Sequence, residues 1–211
     1  MSRRVVAAFD LDGTLTRRDT LLPFLLRTCG PAATWGAVAA VSPLLFRAGL
    51  LGGRWRDVAK EALLVRLLAG RPGEVVEEAG EAFAADFVAS GGIRPEALQR
   101  VEEHRRAGHQ LVIVSASPEL YVAPLGRRLG FDAAIGTRLE TDAEGRLTGR
   151  LLGPNCRGAE KAVRLREWLG DEAGELWAYG DSAGDREMLA MAATGVRVHR
   201  RRPPKFPPVE A

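Results

Sequence analysis

From residue 95 onward the chain alternates short apolar runs with stretches of helical periodicity, and this order constrains the fold more than any other feature. The runs Leu111 to Val114 and Leu176 to Tyr179, and a weaker one from Ala133 to Ile135, are bounded by turn residues. They match a first run, Val5 to Phe9, near the start of the chain. Between them Pro95 to Ala107, Pro118 to Leu129, Ala159 to Leu169 and Asp185 to Ala193 carry helical patterns. Strands and helices in this order predict an α/β fold, a mainly parallel sheet flanked by helices. The stretch "DAEGRLTGR", residues 142–150, reads as a small hairpin beside it.

Residues 17–92 break the alternation. Helix-like blocks at Leu21 to Thr28, Ala32 to Leu45, Trp55 to Leu68 and Glu74 to Ala89 are separated by Gly and Pro, with no convincing strand. The expected organisation is a core domain of residues 1–16 and 93–199 and a helical domain of 17–92 inserted after the first strand. A Pro-rich basic tail, 200–211, should be extended and poorly ordered. At 211 residues the chain is long enough for one core plus a smaller insertion. Within the insertion, Trp35 to Leu51 falls short of the roughly 20 residues a membrane span needs, and Pro43 and Arg47 interrupt it. A buried helix pair is the first reading of this run. A surface making peripheral contact with a membrane is the second, and the basic tail would assist it by attracting anionic lipid.

Composition excludes several classes. With 46% hydrophobic and 27% charged residues the chain is ordinary for a globular protein and not for a disordered one. Its 30 basic residues are scattered among 27 acidic ones, for a net charge of +3. No basic stripe interleaves with aromatics, so no nucleic acid partner is expected. Two cysteines, Cys29 and Cys156, make no disulfide framework and point to a reducing, cytoplasmic setting. Lysine occurs only at Lys60, Lys161 and Lys205, so a lysine at a telling position carries weight. His104, His109 and His199 lack ligand spacing and read as surface residues.

The chemistry gathers at strand ends. Asp10 and Asp12 follow the first apolar run, Ser115 ends "LVIVS", and Asp181 follows "LWAYG". Ligands of an open parallel sheet bind at the carboxyl ends of its strands, so these residues should converge. Lys161, early in a later helical pattern, and Asp185 add an ammonium and a further carboxylate. Bare carboxylates tolerate burial only when neutralised. Mg²⁺ takes one or two carboxylates plus phosphate oxygens and water, which would neutralise Asp10 and Asp181 and leave a phosphate for Ser115 and Lys161 to hold. One aspartate can then attack phosphorus while the other handles protons.

The segments "DLDGTLT", "VIVSAS", Lys161 and "YGDSAGD", in that order, closely resemble the four motifs of the haloacid dehalogenase-like (HAD) phosphatase superfamily, over residues 4–198. The helical insertion resembles the small cap of its phosphoserine-phosphatase-like branch, subfamily IB. The resemblance implies a Rossmann-like core and Mg²⁺ dependence. It implies Asp10 as nucleophile and metal ligand, and Asp12 as general acid/base whose backbone carbonyl also meets the metal. Lys161 would neutralise the nucleophile and phosphate. Ser115 would bind phosphate, with Ala116 and Thr14 completing the substrate-binding set and Thr14 supporting the first turn. Asp181 would be a metal carboxylate and Asp185 an outer carboxylate orienting metal waters or the lysine.

Two stretches depart from the phosphoserine phosphatases: Ser115-Ala116-Ser117-Pro118 replaces a Ser-Gly-Gly stretch, and Gly184 replaces an Asn. Asp19 and Arg66 fall near positions where those enzymes grip the amino acid, and are read first as surface or packing residues. The expected substrate is a small phosphorylated metabolite, with a phospholipid head-group or lysophospholipid phosphate as the alternative. A phospho-receiver signalling domain is the alternative from another class.

Overall fold

The computed structural model describes residues 4–170, 174–199 and 206–209. Five strands form one parallel sheet in the order β3-β2-β1-β6-β7: β1 (Val5–Phe9), β2 (Gln110–Pro118), β3 (Ala133–Thr137), β6 (Glu175–Gly180) and β7 (Thr194–Arg197). The short pair β4 (Leu139–Thr141) and β5 (Leu147–Leu151) is an antiparallel hairpin, as expected of the 142–150 stretch. Central β1 pairs with β2 on one side, Phe9 facing Ile113, and with β6 on the other, Phe9 facing Tyr179. Its residues are apolar throughout because both faces are covered. Ala7 and Phe9 join one core with the aromatic residues Tyr121, Phe131 and Tyr179, while Val6 and Ala8 join the other with Leu165, Leu169 and Met188.

The helices α6 (Pro95–Arg106), α7 (Glu119–Arg128), α8 (Ala159–Leu169) and α9 (Arg186–Met191) lie close to their expected spans. The chain leaves the sheet at Thr16 and returns at Ile93, where the two form an antiparallel bridge. Between them run α1 (Leu21–Cys29), α2 (Pro31–Ala40), α3 (Ser42–Leu51), α4 (Arg54–Leu68) and α5 (Gly73–Ala89). The expected single block from Ala32 to Leu45 is two helices, because Val41 breaks it just ahead of Pro43. α5 lies so close to α7 that a side chain at Gly80 would strike the Leu120 carbonyl at 2.2 Å.

Three expectations are corrected. The α2–α3 pair is not buried: Phe46, Leu50 and Leu51 are 69%, 70% and 65% exposed. His104 is buried rather than superficial, with Nε2 2.7 Å from the Tyr179 hydroxyl and Nδ1 2.8 Å from His109 Nδ1. Burial, with Arg100 and His109 nearby, pushes it down to about 3, so its ring is neutral. Most of the tail lies outside the described residues, but Phe206 packs edge-on to Tyr179 with ring centres 5.6 Å apart, and Arg100 donates to the Pro207 carbonyl. No single helix among the described residues is long and apolar enough to cross a membrane.

Candidate active site

β1 sits where the connections leave the sheet in opposite directions, toward β2 and toward β6, so a crevice opens past its carboxyl end. Asp10 is the first residue beyond it, its N–H donating to the Tyr179 carbonyl at 2.9 Å. The chain then makes a wide turn over Leu11–Leu15, and Gly13 takes a φ of 92° that a side chain would strain. This turn lets the Thr14 hydroxyl reach back and donate to Asp10 Oδ2 at 3.0 Å.

Lys161 enters from the first turn of α8 and is 2% exposed. Its Nζ donates to Asp10 Oδ1 at 2.5 Å and to Asp185 Oδ1 at 2.6 Å. Asp185 Oδ2 accepts the Ser182 N–H at 2.9 Å and hydroxyl at 2.8 Å. Asp181 follows β6, and one carboxylate oxygen from each of Asp10, Asp181 and Asp185 lies within 4.8 Å of the other two. The preceding Gly180 must lack a side chain, since a Cβ there would meet Asp185 Cβ at 2.5 Å.

Three carboxylates around one ammonium leave an excess of negative charge. Burial raises Asp10 to about 7, with Asp185 adding and Lys161 opposing. Burial also works against the Lys161 charge, but the Asp10 and Asp185 carboxylates overcome it and hold the ammonium above its usual range. Burial would lift Asp185 too, yet Lys161 and Ser182 keep it below the ordinary carboxylate range. Asp10 is thus the carboxylate left under-compensated. The hard oxygens of Asp10, Asp181 and Asp185, together with this unbalanced charge, fit a divalent cation of the Mg²⁺ type.

The Asp12 carboxylate takes its hydrogen bonds from Thr20 and Ser117 rather than from Lys161. Its Oδ1 accepts the Thr20 N–H at 2.8 Å and hydroxyl at 2.7 Å, and its Oδ2 accepts the Ser117 hydroxyl at 2.5 Å. Burial first, then Asp19, raises it to about 6 despite those donors. A carboxyl of that kind holds or releases a proton near neutrality.

Ser115 lies within β2, which runs on to Pro118 ahead of α7. Its hydroxyl accepts the Ser117 N–H at 3.0 Å. The β2–β3 register shifts between Val114 and Pro118, and such irregularities re-aim side chains beside active sites. Asp10, Asp12, Ser115, Ala116, Lys161 and Asp185 all line one cavity of about 250 Å³.

Sequence reasoning missed the wall opposite. Lys60, on α4, donates to the Ala116 carbonyl at 2.5 Å and to Asn155 Oδ1 at 2.7 Å, fastening the inserted helices to the last residues of β2. Burial lowers it to about 8, with Asp57 opposing. Asn155 in turn donates to Asp57 Oδ1 at 2.5 Å. The one available signal was the scarcity of lysine. Asp19 does line the cavity, as does Arg56, whereas Arg66 is exposed on α4 and lines none of it. The Asn that Gly184 replaces would press on Arg157, whose Cγ lies 3.1 Å from the Cβ position.

Residues 7–190 match the family model described as haloacid dehalogenase-like hydrolase. The chain belongs to the haloacid dehalogenase-like hydrolases. Within this HAD family it is 42% identical over 200 residues to protein CicA of Caulobacter vibrioides, covering 94% of this chain and 88% of that one. It is 33% identical over 194 residues to a phosphoserine phosphatase of Archaeoglobus fulgidus, covering 89% of this chain and 50% of that one. A crystal structure of a protein of unknown function from Bordetella pertussis Tohama I superposes with a TM-score of 0.78 at 28% identity, covering 93% of this chain and 90% of that one. The chain sits in the phosphoserine-phosphatase-like branch of the HAD superfamily and is a phosphatase. The receiver alternative falls with that membership.

Proposed function

We propose that this HAD phosphatase hydrolyses the phosphomonoester of a small metabolite through an aspartyl-phosphate on Asp10. The observation that carries the reading is Asp10 itself. It is a buried carboxylate held by Thr14 and Lys161 in the lining of a cavity that Asp12, a second carboxyl of raised proton affinity, also lines. Asp10, Asp181 and Asp185 would hold Mg²⁺, with Asp185 acting more through Lys161 and Ser182, and the Asp12 backbone carbonyl would complete the protein ligands. When bound, the ion neutralises the carboxylates and orients the phosphate.

A carboxylate oxygen of Asp10 forms a bond to phosphorus as the bond to the leaving alcohol breaks, and the Asp12 proton passes to the leaving oxygen. Asp12, now ionised, takes a proton from water, whose oxygen attacks phosphorus and releases Asp10 and inorganic phosphate. Ser115 and the Ala116 backbone contact the phosphate while Lys161 balances its charge. Residues 17–92 act as a cap, fastened through Lys60, that excludes bulk water and selects the leaving group. The charged wall of Asp19, Arg56 and Asp57 suits a polar leaving group. A lipid phosphate remains the second reading, favoured by the exposed apolar face of α3 two residues before α4.

Hydrolysis of an aryl phosphate and an alkyl phosphate, with and without Mg²⁺, tests the assignment. Activity should require the ion. In kcat/KM, which reports the step that forms the aspartyl-phosphate, Asp12→Asn should lose about 10²- to 10⁴-fold on the alkyl ester, whose leaving group needs a proton, and much less on the aryl ester. Equal losses in kcat/KM on both would remove Asp12 from protonating the leaving oxygen.

The pH dependence of ion binding follows from Asp10. Its folded pKa, about 7, lies above the ordinary 3.8, so the proton competes with the cation below neutrality. If one proton must leave, apparent Mg²⁺ affinity should fall about tenfold per pH unit below that value and level off above it. Titrating Mg²⁺ against thermal shift at pH 6 and pH 8 measures this. Equal midpoints would contradict it.

A further inference from the structure

α2 and α3 meet at a bend of 61°, and together they are long and apolar enough for a broken span, although neither qualifies alone. Little of the pair is buried: Thr34 and Ala37 on α2, and Ala48 on α3. Trp35, Leu45, Phe46, Leu50 and Leu51 stand 40% to 70% exposed. Large apolar side chains gathered and exposed on one helix pair mark an interaction site.

The charge pattern around it selects the partner. No Asp or Glu occurs from residue 20 to 56, while Arg27, Arg47, Arg54 and Arg56 do. Arg27 is paired with Asp86 at 2.5 Å. Arg47 and Arg54 instead lie 5.4 and 5.9 Å from the ring centre of Trp55, and neither forms an ion pair among the described residues. A second copy presenting the same face would set arginine against arginine, which disfavours a symmetric dimer. An anionic bilayer offers both complements, acyl chains for the apolar side chains and phosphates for the guanidinium groups.

We infer that the α2–α3 face docks on an anionic lipid surface, with Phe46, Leu50 and Leu51 at the headgroup–acyl boundary and Arg47 and Arg54 on lipid phosphates. Arg47 and Pro43 within α3 fit a pair lying in the interface rather than crossing it. The first turn of α4 carries both Arg54 and the cavity-lining Arg56 and Asp57, so docking sets the cavity beside the bilayer. That consequence for substrate rests on the phosphatase reading, whereas the docking itself does not.

Flotation of the full chain with vesicles of phosphatidylcholine, alone or with about a third phosphatidylglycerol, tests the inference without any activity readout. The protein should float with the anionic vesicles and at least about tenfold less with the neutral ones, and added salt should weaken binding. Phe46→Ser with Leu50→Ser, both exposed and remote from the site, should reduce flotation about tenfold and leave aryl phosphate turnover unchanged. The inference is overturned if the wild type stays soluble with anionic vesicles, or if the double variant floats as well as the wild type. It is equally overturned if the wild type is a dimer that the double variant turns into monomer without either floating.

Discussion

Asp10→Asn is expected to lower kcat on an aryl phosphate by about 10⁴-fold or more, the scale seen when a nucleophile acting as part of a unit is removed. The substitution keeps the side chain's size and one oxygen for the Lys161 ammonium, and the Thr14 hydroxyl can turn to accept from the amide NH2 that replaces the other oxygen. It also removes one of the carboxylates crowding the site. The variant should therefore keep the wild-type fold, with circular dichroism and thermal midpoint showing it. Loss of activity together with loss of fold would leave the role of Asp10 unproven, so Asp10→Glu serves as the companion: it retains the charge, displaces the nucleophile, and should be nearly as inactive. A turnover within about tenfold of wild type in the Asn variant would rule Asp10 out as the attacking group.

Lys161→Ala is expected to have the largest effect on stability. It leaves Asp10 and Asp185, now 6% and 1% exposed, facing each other with no ammonium between them. Breaking a buried ion pair by deleting one partner costs about 3–5 kcal/mol. For a chain of this length that is a fall of about 6–20 °C in thermal midpoint at pH 8 without metal. The sign of the pH dependence follows from Asp10. Its folded pKa, already raised, rises further once Lys161 is gone, so the folded variant binds a proton more tightly than the unfolded chain does. The contribution of this group is fully present at low pH and is lost as pH rises through the folded pKa. The deficit against wild type should therefore narrow toward pH 5, and Mg²⁺ should recover part of it at pH 8. A midpoint unchanged at pH 8 would show that the ammonium is not what compensates these carboxylates.

Much of the site was legible because its residues lie where secondary structure puts them. Asp10, Asp181 and Ser115 are tied to strands whose apolar runs are visible in the sequence, and Lys161 begins a helix read to its last residue. β7 was not anticipated, because "TGVR" has no apolar run and gains its place by pairing with β6. Lys60 was missed for a similar reason, since its partners Ala116 and Asn155 lie 56 and 95 residues away. Arg56 rather than Arg66 lines the cavity, because helix phase within the insertion depends on how α4 seats on its neighbours. The apolar run from Trp35 to Leu51 reads as core by composition, yet only packing decides whether anything covers it. His104 likewise gave no sign of burial, being matched by Tyr179 from a strand 75 residues on.

The most direct measurement is a rapid acid quench of the wild-type enzyme during turnover of a labelled phosphomonoester with Mg²⁺, followed by peptide mapping. A hydroxylamine-sensitive phosphate should appear on the peptide bearing Asp10, formed and lost at rates no slower than kcat. Active turnover with no label at Asp10, or a label persisting there long after substrate is spent, would contradict turnover through an aspartyl-phosphate on Asp10.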